Sequence, residues 1–296
     1  MAKFILSAFA DEAGSTLSEQ IAALKDNGID FIEPRNIGGK GIITLSDEEL
    51  SEIKSELDKN GIKVNSLGSP IGKYPIDADF APHLADTKRA LEIAKILDTK
   101  NIRMFSFFVK CDELSKYRDE VISRLRKMTS LAEEYGISLC HENESAIYGQ
   151  MPEEVSELLT KVSGLYGIFD PANYRMNNAD VYAGIEATLK NFKYMHIKDA
   201  IFESQTIVPA GEGEGKIAEI VDIINDKVDG EVYLTLEPHL HIFDAYKGID
   251  EHELRGKYSF KNSREAFDFA VAALKNLLIS NGYERNEENQ WVKKCV

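Results

Sequence analysis

Four residues of metal-ligand type, Glu142, Asp170, His196 and Glu237, recur at the ends of four successive short apolar runs: ISLCHEN (137–143), LYGIFD (165–170), FKYMHIKD (192–199) and VYLTLE (232–237). Side chains alternate faces along a strand. In VYLTLE, Val232, Leu234 and Leu236 share one face, and Glu237 shares the other with Tyr233 and Thr235. The same alternation groups His196 with Tyr194 and Lys198, Glu142 with Ser138 and Cys140, and Asp170 with Tyr166 and Ile168. Three carboxylates converging on one point repel one another strongly unless a cation offsets them. Oxygen-rich ligation with one imidazole suits Mn²⁺ first, with Mg²⁺, Co²⁺ and Zn²⁺ open. Any one of these residues alone reads as a turn cap or a packed histidine. Four in register on one face read as a single divalent-ion site.

The elements that must position them alternate along the whole chain. Earlier apolar runs are FILSAF (4–9), DFIEPR (30–35), IKVNSLGS (62–69) and NIRMFSF (101–107), and helical patterns lie between all eight runs. Those patterns occupy 15–27, 46–60, 82–97, 112–135, 152–162, 178–190, 215–227 and 262–281. Ser46 with Glu49 three residues on fits a capping box, and Gly61 fits a stop. Strict βα alternation implies a parallel sheet with right-handed crossovers. Eight such units imply an α/β fold, a single-domain (β/α)₈ TIM barrel over 1–282, with a polar C-terminal tail over 283–296. An open doubly wound sheet is the runner-up, but AFADEAGS after the first strand lacks GxGxxG. In a barrel, the C-terminal strand ends are where catalytic side chains sit.

Composition narrows the partners. The 296 residues carry 35 Lys and Arg against 50 Asp and Glu, a net charge of −15. A field of that sign repels nucleic-acid phosphates and anionic membrane surfaces. The expected partner is a small molecule. Cys111, Cys140 and Cys295 form no disulfide framework. No secretory leader and no apolar run of membrane-spanning length is recognisable, so the expectation is a cytoplasmic protein. Homo-oligomers are common among such barrels, but no interface is readable.

GIDFIEPR, LCHENE, GIFDPANY, MHIKD, PAGEGEG and LTLEPH follow one another within 4–281. In that order they resemble the xylose-isomerase-like barrels of the sugar phosphate isomerase/epimerase superfamily, which includes hydroxypyruvate isomerases, ketose 3-epimerases, inosose dehydratases and endonuclease IV. The resemblance implies that Glu142, Asp170, His196 and Glu237 bind one divalent metal. It implies that Glu142 and Glu237 also act as acid/base groups on opposite faces of a small sugar or polyol carbonyl compound, through an enediolate. The expected activity is isomerisation or epimerisation. The alternatives are a dehydratase of inosose or dehydroshikimate type, a partner-dependent or non-catalytic subunit, and an endonuclease IV-like nuclease. Asn173 stands where the family often has a histidine, and the chain has six histidines in all, which weigh against the nuclease.

Other candidates surround this set. Asn173 suits a sugar hydroxyl. Lys198 shares the face of His196 and is read either as a substrate contact or as a salt-bridge partner of Asp170 or Glu237. His239 lies two residues beyond Glu237. Arg35 and Glu33 end the second strand on one face and Arg103 lies inward on the fourth; an internal ion pair is the default, with Arg35 or Arg103 as substrate contacts the alternative. Family epimerases carry an Arg after the seventh strand, residues 199–215 contain none, and Arg175 is the substitute. His141 is read as a packed structural histidine and Asp199 as a turn cap. The long segment 240–262 is read as a lid or interface element.

Overall fold

The computed structural model describes residues 1–241 and 258–294. Eight strands form the barrel: β1 (Ala2–Ala8), β2 (Phe31–Ile32), β3 (Lys63–Val64), β4 (Asn101–Met104), β5 (Ser138–Glu142), β6 (Leu165–Phe169), β7 (Phe192–Ile197) and β8 (Gly230–Leu236). Each is parallel to the next, β3 meets β4 through a bridge between Leu67 and Ile102, and β8 closes the ring against β1. The outer layer is α1 (Leu17–Asp26), α2 (Asp47–Lys59), α3 (Phe80–Ile96), α4 (Leu114–Tyr135), α5 (Pro152–Lys161), α6 (Val181–Leu189), α7 (Ile217–Lys227) and α8 (Ser263–Ser280). This is the expected (β/α)₈ barrel.

The alternation of strand faces sorts the side chains as the sequence implies. Leu139, Leu165, Phe169, Met195, Ile197, Val232, Leu234 and Leu236 pack in the main core with the helices. Cys140, Ile168 and Tyr194 form a separate buried cluster with Tyr166 and Tyr233 packed against it. That second cluster is the barrel interior, and the four candidate ligands stand above it on the same parity. Ser46 and Glu49 make the capping box at α2, and Gly61 follows at φ +73°.

Several runs are shorter than the sequence suggests. DFIEPR yields only two regularly paired residues, because Pro34 has no N–H to donate. The chain continues in loose register: Glu33 N–H donates to Ala8 O (3.0 Å) and Asn65 N–H to Ile32 O (3.1 Å). Two small antiparallel hairpins, Asn36–Ile37 with Lys40–Gly41 and Asp199–Ile201 with Thr206–Val208, decorate the C-terminal end of the barrel. A short helix, Pro171–Met176, follows β6 directly.

Most of the C-terminal tail is folded. β9 (Tyr283–Arg285) and β10 (Trp291–Lys293) form a hairpin, and Trp291 pairs with Phe4 of β1. β1 pairs with β2 only at Ser7 and Ala8, so the hairpin covers the part of the β1 edge that β2 leaves open. Most of the 240–262 segment, His252 and Cys295 lie outside the described residues. Among the described residues, no helix is long and apolar enough to cross a membrane.

Candidate metal centre and cavity

Glu142 is the last residue of β5, His196 the penultimate residue of β7, and Asp170 and Glu237 follow β6 and β8 immediately. One ligand atom from each lies within 4.8 Å of all the others, and all four side chains are buried. His196 Nδ1 is 3.1 Å from Glu142 Oε1 and 3.5 Å from Glu237 Oε2. Asp170 caps the short helix after β6: its Oδ1 accepts the N–H of Asn173 at 2.9 Å. That bond turns Oδ2 into the cluster, where it is buried without a hydrogen bond and has the Lys198 ammonium 3.0 Å away.

The protein's own charges show how strongly this cluster demands positive charge. Burial by itself would raise the Glu142 carboxyl, but the charges of His196 and Arg103 outweigh it and bring it to about 2. Burial likewise would raise Glu237, yet Lys198, His239 and His196 hold it well below the usual range. Asp170 is pushed by burial up to about 7 against the pull of Lys198. Burial would lower His196, but the attraction of Glu142 and Glu33 lifts it to about 10. Three convergent carboxylates, one imidazole and an Asp170 oxygen with no hydrogen bond fit a divalent cation by donor type and by charge.

Two arginines brace the glutamates. Arg35 Nε and Nη2 donate to the two oxygens of Asp11 at 3.0 and 3.1 Å, and Nη1 donates to Glu237 Oε1 at 2.8 Å. Arg103 Nη1 is 3.4 Å from Glu142 Oε2 and 3.6 Å from Glu237 Oε1, so it spans both. The Phe9 ring lies 4.6 Å from the Arg35 guanidinium and 4.8 Å from that of Arg103. Glu12, Glu237 and His239 form a second set of converging donors. Arg35 already supplies a cation there, with Nη2 3.4 Å from Glu12 Oε1. Both arginines are thus in internal ion pairs, Arg35 with Asp11, Glu12 and Glu237 and Arg103 with Glu142 and Glu237, while Glu33 turns to Tyr194.

A cavity of about 270 Å³ opens above the cluster. Its walls include the expected Arg35, Arg103, Asn173, Lys198, Glu237 and His239. Asn173 Nδ2 donates to Glu142 Oε1 at 3.3 Å and to Asn143 O at 2.8 Å. Lys198 sits between Asp170 and Glu237, the latter 3.3 Å away. Arg175 points elsewhere. It donates to Glu214 Oε2 (2.9 Å) and the Ala179 carbonyl (3.0 Å) and is not part of the cavity wall. Ile42, Lys73, Phe105, Glu144 and Ile207 are also part of the wall, and Lys73 and Glu144 form an ion pair of 3.0 Å there. Sequence reasoning missed Asp11, Glu12 and Glu144. Their one signal is sequence adjacency to strand ends, Asp11 two residues after Phe9 and Glu144 two after Glu142.

His141 and Asp199 have structural partners. His141 is buried, with Nε2 2.9 Å from Ser106 Oγ. The Asp199 carboxylate accepts N–H groups from Ala200, Gly211, Gly213 and Gly215 and so organises the PAGEGEG loop.

The family model described as a xylose isomerase-like TIM barrel matches residues 21–258. No curated protein matches the chain by sequence. Among solved structures, a probable 3-DHS dehydratase, AsbF of Bacillus anthracis, superposes with a TM-score of 0.69 at 15% identity, covering 93% of this chain and 99% of that one. A D-psicose 3-epimerase crystallised in the presence of D-fructose gives 0.70 at 18% identity, covering 94% and 99%. The IOLI protein with a binding zinc atom gives 0.71 at 14% identity, again covering 94% and 99%. On the family match over most of its length, this chain belongs to the xylose isomerase-like TIM barrel family.

Proposed function

We propose that this chain is a divalent-metal-dependent enzyme that isomerises or epimerises a small sugar or polyol carbonyl compound. The supporting observation is the convergence of Glu142, Asp170, His196 and Glu237 within 4.8 Å beside a cavity of about 270 Å³. That volume suits a small molecule, just under the roughly 300–1,000 Å³ common for ligand sites. Glu142, Asp170, His196 and Glu237 hold the ion, Mn²⁺ first among the candidates. When bound, it supplies Lewis-acid polarisation of a substrate carbonyl. Glu142 and Glu237 act as the acid/base pair: one takes the proton from the carbon beside the carbonyl and the other returns a proton. The charges of His196 and Arg103 favour the ionised form of Glu142, and those of Lys198 and His239 favour the ionised form of Glu237, the form that can accept a proton. Asn173 and His239 in the wall orient hydroxyl groups. Return to the same carbon gives an epimer, and return to its neighbour gives an isomer. The negative net charge supports a small-molecule partner over nucleic acid, and free Cys111 and Cys140 support a reducing, cytoplasmic setting.

A dehydratase is the second reading, favoured by the fold shared with the AsbF dehydratase. The test is solvent-deuterium incorporation into a panel of ketoses and polyol ketones with Mn²⁺ added. Exchange into recovered carbonyl compound supports the isomerase or epimerase. Appearance of an unsaturated carbonyl absorbance supports the dehydratase instead. Glu142→Gln and Glu237→Gln should each lose turnover by orders of magnitude; wild-type rates in both would remove the catalytic assignment.

A further inference from the structure

Beneath the ligand set lies a buried carboxylate that the reaction does not use. Glu33 is fully buried in the barrel interior. Its Oε1 accepts the Tyr194 hydroxyl at 2.8 Å, and Ser66 Oγ lies 2.9 Å from the same phenol oxygen. Its Oε2 faces His196 Nε2 at 3.6 Å, and both of these atoms are buried without a hydrogen-bond partner. An imidazole nitrogen and a carboxylate oxygen left over in a dry interior, each the nearest remedy for the other, need a shift of under about 1 Å to reach a charge-assisted bond. Phe9 packs edge-on against the His196 ring at 5.2 Å and Tyr194 lies 5.5 Å from it, which limits how the ring can turn.

A carboxylate only accepts. A hydrogen bond to Glu33 therefore requires the proton on Nε2, which leaves the lone pair on Nδ1. Nδ1 is the nitrogen that faces Glu142 and Glu237. We propose that Glu33 is the positioning residue of the metal centre: it fixes the tautomer and the rotation of His196 so that Nδ1 is the atom presented to the ion. Tyr194 and Ser66 hold Glu33 in turn. Arg35 does not need Glu33 for neutralisation, since Asp11, Glu12 and Glu237 surround it. This proposal rests on the metal-centre reading above.

The test has two arms. In wild-type protein loaded with Zn²⁺, the nitrogen-15 shifts of His196 should show a proton on Nε2 and ligation at Nδ1; the opposite tautomer overturns the proposal without any variant. In the second arm, Zn²⁺ and Mn²⁺ are titrated calorimetrically into metal-free wild type, Glu33→Gln and Glu33→Ala. Affinity should fall about 10-fold in Glu33→Gln and up to about 100-fold in Glu33→Ala, the range seen when such outer partners are lost, with one ion still bound per chain. A folded variant that binds within twofold of wild type overturns the role of Glu33 alone. Wild type that takes up no ion refutes the metal-centre reading itself, so the two failures are distinguishable.

Discussion

Asn143 bonds to the backbone of Asp170 in both directions. Its Nδ2 donates to Asp170 O at 3.0 Å and its Oδ1 accepts Asp170 N–H at 3.0 Å. One amide thus pins the end of β5 to the end of β6 and sets the backbone from which Glu142 and Asp170 project. The Asn143 carbonyl also holds Asn173. Asn143→Ala should lower divalent-ion affinity by about 10-fold and cost about 1–3 kcal/mol of stability, from lost orientation and from buried backbone groups left unpaired. Manganese titration with a parallel denaturant melt checks both. Unchanged affinity would detach Asn143 from the site.

Among the described residues, the Arg35 guanidinium is shared by Asp11, Glu12 and Glu237. Removing a buried cation leaves its partners as uncompensated buried charge, at roughly 3–5 kcal/mol. Arg35→Met should destabilise by that order. Arg35→Lys, which keeps the charge but loses the two-pronged bond to Asp11, should lose less. Urea midpoints for the three proteins decide the ranking.

His83 makes an acid-sensitive brace outside the ligand set. Its Nε2 accepts the Gly72 N–H at 3.0 Å, so the ring is neutral there, and Tyr74 stacks on it at 4.8 Å. Burial holds its pKa at about 4, against the opposing pull of Asp86. The unfolded value is near 6.5. Because the folded value is depressed, the neutral ring's contribution is complete above about pH 6.5 and is lost as pH falls toward 4. Wild type should therefore lose about 2 kcal/mol more than His83→Gln between pH 7 and pH 5. Parallel losses in the two proteins would show that His83 contributes nothing to the acid slope.

The C-terminal hairpin carries stability through Trp291, which is buried where β10 meets Phe4. Trp291→Ala should cost roughly 3–5 kcal/mol, the range for emptying a buried aromatic site. A denaturant midpoint equal to that of wild type would mean the hairpin merely rests on the barrel.

The strand periodicity placed Glu142, Asp170, His196 and Glu237 on one face because a period of two leaves no freedom once the opposite face is apolar. The inner cluster of Cys140, Ile168 and Tyr194 follows from the same rule. Ser46 and Glu49 were legible because a capping box is local in sequence. Contacts across the barrel closure were not. Arg35 meets Glu237 over 202 positions, and neither Asp11 nor Glu12 sits in a periodic run. Arg175 illustrates the limit from the other side: five residues past Asp170, it lies on the last turn of a six-residue helix that turns it toward Glu214. Spacing along the chain gives no direction once a strand has ended.

The central claim is that four strand-end side chains hold one divalent ion. It is tested most directly by equilibrium Mn²⁺ binding to metal-free protein, wild type against Asp170→Asn and His196→Gln. The expected result is one ion per chain in wild type and at least about 100-fold weaker binding in each variant, about 2.7 kcal/mol. Wild type that binds no ion, or variants that bind as tightly as wild type, would contradict it.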